Sequence, residues 1–235
     1  MSHVRQEFDA YLFDIDGTLL HARDGVHMGA MAAATRDVWQ STRPLEEVPI
    51  HGNTDIGILR AIAELDGIGT AEFDTHLPEA IAVMRRYLEE HKQLSHPVLC
   101  PFIVELLTNL RERGKLMGLS TGNIDTAGWL KTRTAGIAEF FTLASFSNEH
   151  EKREGIFAWA AEQARTRLGS KARVVFLGDT PNDVRAAQYV GEPVIALATG
   201  HYSREMLHAS GPCHLCLENC GELLAQGLPN PPRDV

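Results

Sequence analysis

The 235 residues contain no candidate membrane span. No uninterrupted apolar run approaches the ~20 residues that a helix needs to cross a bilayer. The opening stretch, residues 1–7, is polar and lacks the apolar core of a secretion signal, so the expected location is cytoplasmic. Basic charge is also scarce. Lys and Arg number 22 against 31 Asp and Glu, a formal net charge of −9. That leaves no excess of cations to meet a nucleic-acid backbone, and no nucleic-acid or membrane partner is expected. A local cluster of donors can still receive a small anion inside a negative whole. Cysteine is sparse, at four residues. Cys213, Cys216 and Cys220 stand close together, but no second matching pair accompanies them. They are read as ordinary small residues rather than zinc ligands. Without a secretion signal no disulfide is expected. The eleven histidines form no His-Glu-x-x-His pattern, and only His51 attracts attention. Internal repeats and low-complexity tracts are missing as well.

What is present suits a folded enzyme-sized unit. An apolar content of 44% fills a core, and 23% charged residues suit a wetted surface. The length allows one large domain, or one domain with a smaller insert. Residues 10–13, Ala-Tyr-Leu-Phe, form a short apolar run that stops at Asp14, as a buried strand would. Residues 28–39, 56–65 and 78–91 read as amphipathic helices, with Pro78 suited to a first helical turn. No strand alternation interrupts them. From residue 96 the texture alternates. Helices are expected over 102–113, 126–134, 154–168 and 183–189, and strands over 116–119, 141–146, 174–177 and 194–198. This predicts an α/β fold: a Rossmann-like parallel sheet core, residues 1–20 and 96–235, with an inserted α-helical cap over 21–95. The proline-rich tail, 227–235, is expected to fray.

Ligands of open α/β sheets bind beyond the carboxyl ends of the strands. Three predicted strands end in reactive residues: Asp14 and Asp16, then Ser120 and Thr121, then Asp179 with Asp183 four residues on. One acid at a strand end is unremarkable. Three such sites converging on one sheet edge are hard to assign to chance. Helix capping is the competing role for Thr121, Thr54, Asp55 and Asp183, and turn formation for Asp14 and Asp16.

The run Leu12-Phe13-Asp14-Ile15-Asp16-Gly17-Thr18-Leu19 resembles the first motif of the haloacid dehalogenase superfamily. Ser120-Thr121-Gly122-Asn123 is similar to its second motif, and residues 174–183, ending Gly178-Asp179-Thr180-Pro181-Asn182-Asp183, to its fourth. The helical insert is similar to the cap of the phosphoglycolate phosphatase-like branch. His51-Gly52-Asn53-Thr54-Asp55 falls where that branch carries a Gly-x-Thr-Asp motif.

The resemblance implies a Mg²⁺-dependent phosphatase acting on a small phosphorylated metabolite. Asp14 is then the nucleophile, forming an aspartyl-phosphate. Asp16 gives a proton to the leaving oxygen and later takes one from water. Asp14, the Asp16 carbonyl and Asp179 hold the metal, with Asp183 completing the shell. Thr121, Gly122 and Asn123 offer donors to the phosphoryl group. A cation is expected before the helix that follows the third strand. Lys152 and Arg153 adjoin there, and the alignment of that helix favours Arg153. In the cap, Thr54 and Asp55 are candidate substrate contacts. Two other readings stand beside this one. A phosphomutase of the β-phosphoglucomutase type would use the same residues, and a non-catalytic binding protein could share the fold. Dehalogenases and phosphonatases lack an acid at the position of Asp16. Nothing in the sequence assigns an oligomeric state.

Overall fold

The computed structural model describes residues 8–226. The expectation of a frayed tail over 227–235 lies outside the described residues. In chain order the elements are β1 (Ala10–Phe13), β2 (Leu20–His21), α1 (Val26–Trp39), α2 (Asp55–Leu65), α3 (Thr70–His91), β3 (Val98–Leu99), α4 (Ile103–Glu112), β4 (Leu116–Ser120), α5 (Asp125–Thr134), β5 (Leu143–Ser145), α6 (Arg153–Leu168), β6 (Val174–Gly178), α7 (Pro181–Val190), β7 (Val194–Leu197), α8 (Arg204–Ala209), β8 (Leu215–Leu217) and α9 (Cys220–Ala225).

Six strands form one parallel sheet in the order β5-β4-β1-β6-β7-β8. β1 is central, and every one of its four residues is buried. Its side chains alternate. Tyr11 and Phe13 join the apolar layer built with α4 and α9, while Ala10 and Leu12 face α6 and α7. A strand covered on both faces needs an unbroken apolar run, which is why Ala-Tyr-Leu-Phe was legible as one.

The segment between β2 and β3 is helical. α1, α2 and α3 close around their own apolar cluster, which takes in Ile124 and Ala127 at the start of α5. The small face of α1 lets α3 approach closely; a Cβ on Gly29 would overlap the Tyr87 ring. β2 and β3 pair antiparallel where the chain leaves and re-enters the sheet domain. Two-residue strands carry too little periodicity to be read from sequence, and no strand was expected here. No helix of the described residues is long and apolar enough to cross a membrane.

Three local expectations need correction. Pro78 does not open a helix. It lies inside α3, which starts at Thr70. The earlier turns are held by Phe73, 1% exposed and stacked on Trp39 at 4.9 Å with Arg60 over its ring, and that burial outweighs the hydrogen bond that proline removes. The strand expected over 141–146 shrinks to Leu143–Ser145 because a 3₁₀ turn, Ala138–Phe140, buries Phe140 just before it. Asp183 is not the cap of α7. Thr180 is, in a reciprocal capping box. Asp183 sits three residues on, where its carboxylate accepts from the Thr180 amide at 3.0 Å.

Candidate active site

β1 ends at Phe13, and the Asp14 amide continues the ladder by donating to the Leu177 carbonyl at 2.9 Å. The chain then turns sharply, with Gly17 at φ 84°. Only glycine fits there on two counts: a side chain is disfavoured at that angle, and a Cβ would overlap the Asp179 carboxylate. Asp179 follows β6, on the neighbouring strand. The Thr18 hydroxyl donates to it at 3.0 Å. Gly200, after β7, crowds it from the other side, since a Cβ there would also overlap Asp179 Oδ2. Asp183 is completely buried. One carboxylate oxygen from each of Asp14, Asp179 and Asp183 lies within 4.8 Å of the others.

Three buried carboxylates in so small a space repel. Arg153, 7% exposed at the first position of α6, bonds Asp183 through Nη1 and places the same nitrogen 3.5 Å from Asp14 Oδ2. One arginine does not balance three acids. Burial pushes the Asp14 carboxyl up to about 6; Arg153 opposes the rise, and Asp183 and Asp16 add to it. Asp179 is likewise raised by burial and by the charge of Asp14. A hard divalent cation would relieve this. The donors are all carboxylate oxygens, the type Mg²⁺ prefers, and Gly17 and Gly200 leave the Asp179 head group room that a side chain would fill. The residues fit the ion. Replacing Gly200 with alanine should therefore displace the Asp179 carboxylate while leaving every acid of the site in the sequence. The expected result is a Mg²⁺ affinity weakened about 10- to 100-fold, read by titration calorimetry.

Asp16 points away from this trio. Its Oδ2 accepts from Asn123 Nδ2 at 2.8 Å and from Lys131 Nζ at 2.6 Å. Burial works to raise its pKa, but the charge and hydrogen bond of Lys131, with the hydrogen bond from Asn123, hold the carboxyl below its usual range. Thr121 does not cap α5, whose N-cap is Ile124. Its hydroxyl bonds Asp14 and accepts from Asn123.

A cavity of about 380 Å³ opens over Asp14 and Asp16, between the strand ends and the helical insert. Gly122, Asn123, Asp55, Arg153, Asp179 and Lys131 line it, with Arg23, His21, His51 and His201 toward the insert. A larger open hollow of about 620 Å³ beside α6 and α7 gathers no comparable set of acids. Lys152 is exposed and lines a separate hollow of about 240 Å³ together with Thr54. Of the two adjoining cations only Arg153 reaches the acids. The Thr54 side chain caps α2, accepting from Gly57 N at 3.0 Å and donating to the Glu151 carbonyl at 2.7 Å. Asp55 lines the cavity, yet its Oδ2 accepts from the Ile124 amide and bonds His27, both at 2.8 Å. These two residues tie the insert to the sheet domain. Arg60 does the same, bonding Glu151 at 2.5 Å, and His51 stacks on His201 at 4.4 Å. Cys213, His214 and Cys216 do not gather into a three-ligand group among the described residues, and all four cysteines are free.

Sequence reasoning missed Lys131 and His27. Lys131 had a readable signal. It lies seven residues after Ile124 and four after Ala127, on the face of α5 that carries both into the core. A lysine on a buried helical face needs a partner.

A family model described as haloacid dehalogenase-like hydrolase matches residues 8–191. A phosphoglycolate phosphatase from Rhodospirillum rubrum is 26% identical over 209 residues, covering 86% of this chain and 84% of its own. A phosphoglycolate phosphatase from Vibrio parahaemolyticus is 25% identical over 219 residues, covering 89% and 92%. Among solved structures, one described as a predicted phosphoglycolate phosphatase from Haemophilus somnus superposes with a TM-score of 0.67 at 18% identity, covering 94% of this chain and 99% of that one. At that identity the likeness is one of fold.

Proposed function

The chain belongs to the haloacid dehalogenase-like hydrolase family, and on that premise we propose that it is a Mg²⁺-dependent phosphatase of small phosphomonoesters. The observation that carries the reading is the setting of Asp14: buried at the end of the central strand, beside Asp179 and Asp183, with Arg153 3.5 Å away. An Asp14 oxygen attacks phosphorus, and the bond to the leaving oxygen breaks as Asp16, which has taken a proton from the incoming phosphate monoanion, gives that proton to the leaving oxygen. The product of this half-reaction is an acyl phosphate on Asp14. Asp16, now a carboxylate, takes a proton from water, and the water oxygen attacks the same phosphorus. Inorganic phosphate leaves and Asp14 is restored. Arg153 and the amides around Gly122 and Asn123 stabilise the equatorial oxygens. The Arg153 Nε is buried with no hydrogen-bond partner among the described residues. Asp14, the Asp16 carbonyl and Asp179, with Asp183 beside them, would hold Mg²⁺, and the bound ion would supply the charge that lets one anion approach another.

Residues 21–95 act in this reading as a cap over a core of 1–20 and 96–235. The cavity lies near the lower end of ordinary ligand sites, about 300–1,000 Å³, which suits a small metabolite. Arg23 reaches it and has no acidic partner among the described residues. An arginine on the insert side of the cavity, with no acidic partner among the described residues, favours a substrate with a second anionic group. A short phosphorylated acid of the phosphoglycolate kind fits, as the names of the two curated relatives also suggest.

The test is a panel of phosphomonoesters assayed with and without Mg²⁺, following inorganic phosphate and isomer formation separately. Phosphate release from a short phosphorylated acid is expected. Isomer formation from a sugar phosphate would instead favour the phosphomutase, and no turnover of any ester would overturn the reading. Arg23→Ala should raise KM about tenfold for the phosphorylated acid, the worth of one charged hydrogen bond. It should leave KM for an uncharged leaving group unchanged.

A further inference from the structure

Lys131 is buried to within 3% of full exclusion, and burying an ammonium group is costly unless every proton is satisfied. Here each is. Nζ lies 2.6 Å from Asp16 Oδ2, 2.6 Å from Asn123 Oδ1 and 2.9 Å from His27 Nδ1. Three protons meet three acceptors. The third acceptor fixes the histidine. His27 Nε2 lies 2.8 Å from Asp55 Oδ2, an acceptor, so Nε2 carries the proton and Nδ1 is left to receive from Lys131. Asp55 is anchored in turn by the Ile124 amide. The chain of contacts thus runs Asp55, His27, Lys131, Asp16. Its first two members sit on α2 and α1 of the helical insert, and its last two on the sheet domain.

Both donors that reach Asp16 bind the same oxygen, Oδ2. Oδ1 accepts no hydrogen bond among the described residues, and the Asp16 side chain keeps 42% of its surface open. The carboxylate is therefore clamped by one oxygen and presents the other to the cavity. Simple neutralisation of an acidic site would not require this. A lysine serving only as counter-charge has no need of a histidine from the other domain.

We propose that Lys131 and His27 are positioning residues for Asp16, holding it so that Oδ1 exchanges the proton with the leaving group and with water, and holding it only while the insert is seated on the sheet domain. The proposal rests on the reading of Asp16 as the proton-transfer group. Lifting α1 and α2 away removes His27 and Asp55, and Lys131 loses one of its three acceptors. Asp16 is then held by a lysine free to turn elsewhere. Proton transfer is coupled in this way to coverage of the substrate.

Leaving-group dependence tests it. An alkyl phosphate needs its leaving oxygen protonated, whereas p-nitrophenyl phosphate expels a stable anion and does not. The measured quantity is the first-turnover release of alcohol or p-nitrophenol from wild type, Lys131→Met, His27→Ala, Lys131→Arg and Asp16→Asn. Lys131→Met should slow alkyl phosphate cleavage about 10²-fold, the usual scale of a general acid. Its p-nitrophenol burst should stay within about threefold of wild type, with KM unchanged for both esters. His27→Ala should show the same pattern more weakly, and Lys131→Arg should recover part of the loss. Equal loss on both esters means a merely structural lysine and overturns the proposal, as does no loss on either. Asp16→Asn separates the two readings. If it shows the leaving-group pattern and the Lys131 and His27 variants do not, the positioning proposal alone fails. If it does not, the reading of Asp16 fails with it. Should Lys131→Met fold poorly, His27→Ala carries the same comparison, because His27 is only partly buried and contributes the insert's share alone.

Discussion

Asp14→Asn should release no measurable phosphate from any ester that the wild-type protein turns over, a loss of at least about 10⁴-fold in kcat. The amide keeps the shape of the carboxylate but is a poor nucleophile, and it cannot carry the phosphoryl group to the second half-reaction. Loss of fold would not account for the result. In the metal-free protein Asp14 is a buried charge beside two others, with burial pushing its pKa up to about 6. A carboxyl whose folded pKa exceeds its unfolded value binds protons more tightly in the native state. Its contribution to stability is therefore fully present at low pH and lost as pH rises from about 4 through 6. The asparagine has no charge to lose. With Mg²⁺ chelated, Asp14→Asn should melt at or above the wild-type temperature at pH 7.5, and the difference should shrink at pH 4. A variant that is stable, binds less Mg²⁺ and is inactive marks Asp14 as nucleophile. Undiminished turnover would remove Asp14 from the mechanism altogether.

Replacing Arg153 should have the next largest effect, on activity and stability together. Its guanidinium bonds Asp183 and stands by Asp14, both buried. Arg153→Met leaves three carboxylates within 4.8 Å of one another and no cation among them. Removing one partner of a buried ion pair costs about 3–5 kcal/mol. With Mg²⁺ chelated, the urea midpoint should fall accordingly. Added Mg²⁺ should restore part of the stability by supplying the missing charge. Activity should not follow. Without a donor opposite the metal, kcat should drop about 10²- to 10³-fold, the cost of losing one such donor. Arg153→Lys should recover stability better than activity, because one ammonium cannot reproduce a planar fork that serves Asp183 and the phosphoryl group at once. Lys152→Met, at an exposed neighbour, should change neither by much. A reversal of the two variants would move the cationic role to Lys152.

The acids at the strand ends were legible because each follows from local rules. An apolar run that stops at an acid marks a strand end, as the runs leading to Asp14 and to Gly178-Asp179 do, and Gly17 after Asp16 marks a turn only glycine makes. The helices of the insert were legible from their 3.6-residue period. Pro78 misled, because its local preference for a helix start lost to the burial of Phe73 one turn earlier. Asp183 joins the acids as expected of it, and the competing role, capping, falls to Thr180 three residues before it. Thr54 and Asp55 carry a motif, and a motif does not say which way a side chain turns. Packing turns them toward Glu151 and Ile124.

The sequence by itself determined the alternation of strands and helices, the helical run before β3, the family resemblance and the acids at the strand ends, since each of these is carried by residues within a few positions of one another. Only the tertiary structure turned Arg153 toward the buried acids and left Lys152 exposed, because adjacent residues at a helix start point in different directions and burial depends on what lies opposite. Only the tertiary structure brought Lys131 to Asp16, 115 positions away, and His27 to Lys131, 104 positions away. No periodicity spans such distances. The contact exists because α5 and α1 share one apolar cluster, and a lysine on that shared face must find acceptors where the cluster ends.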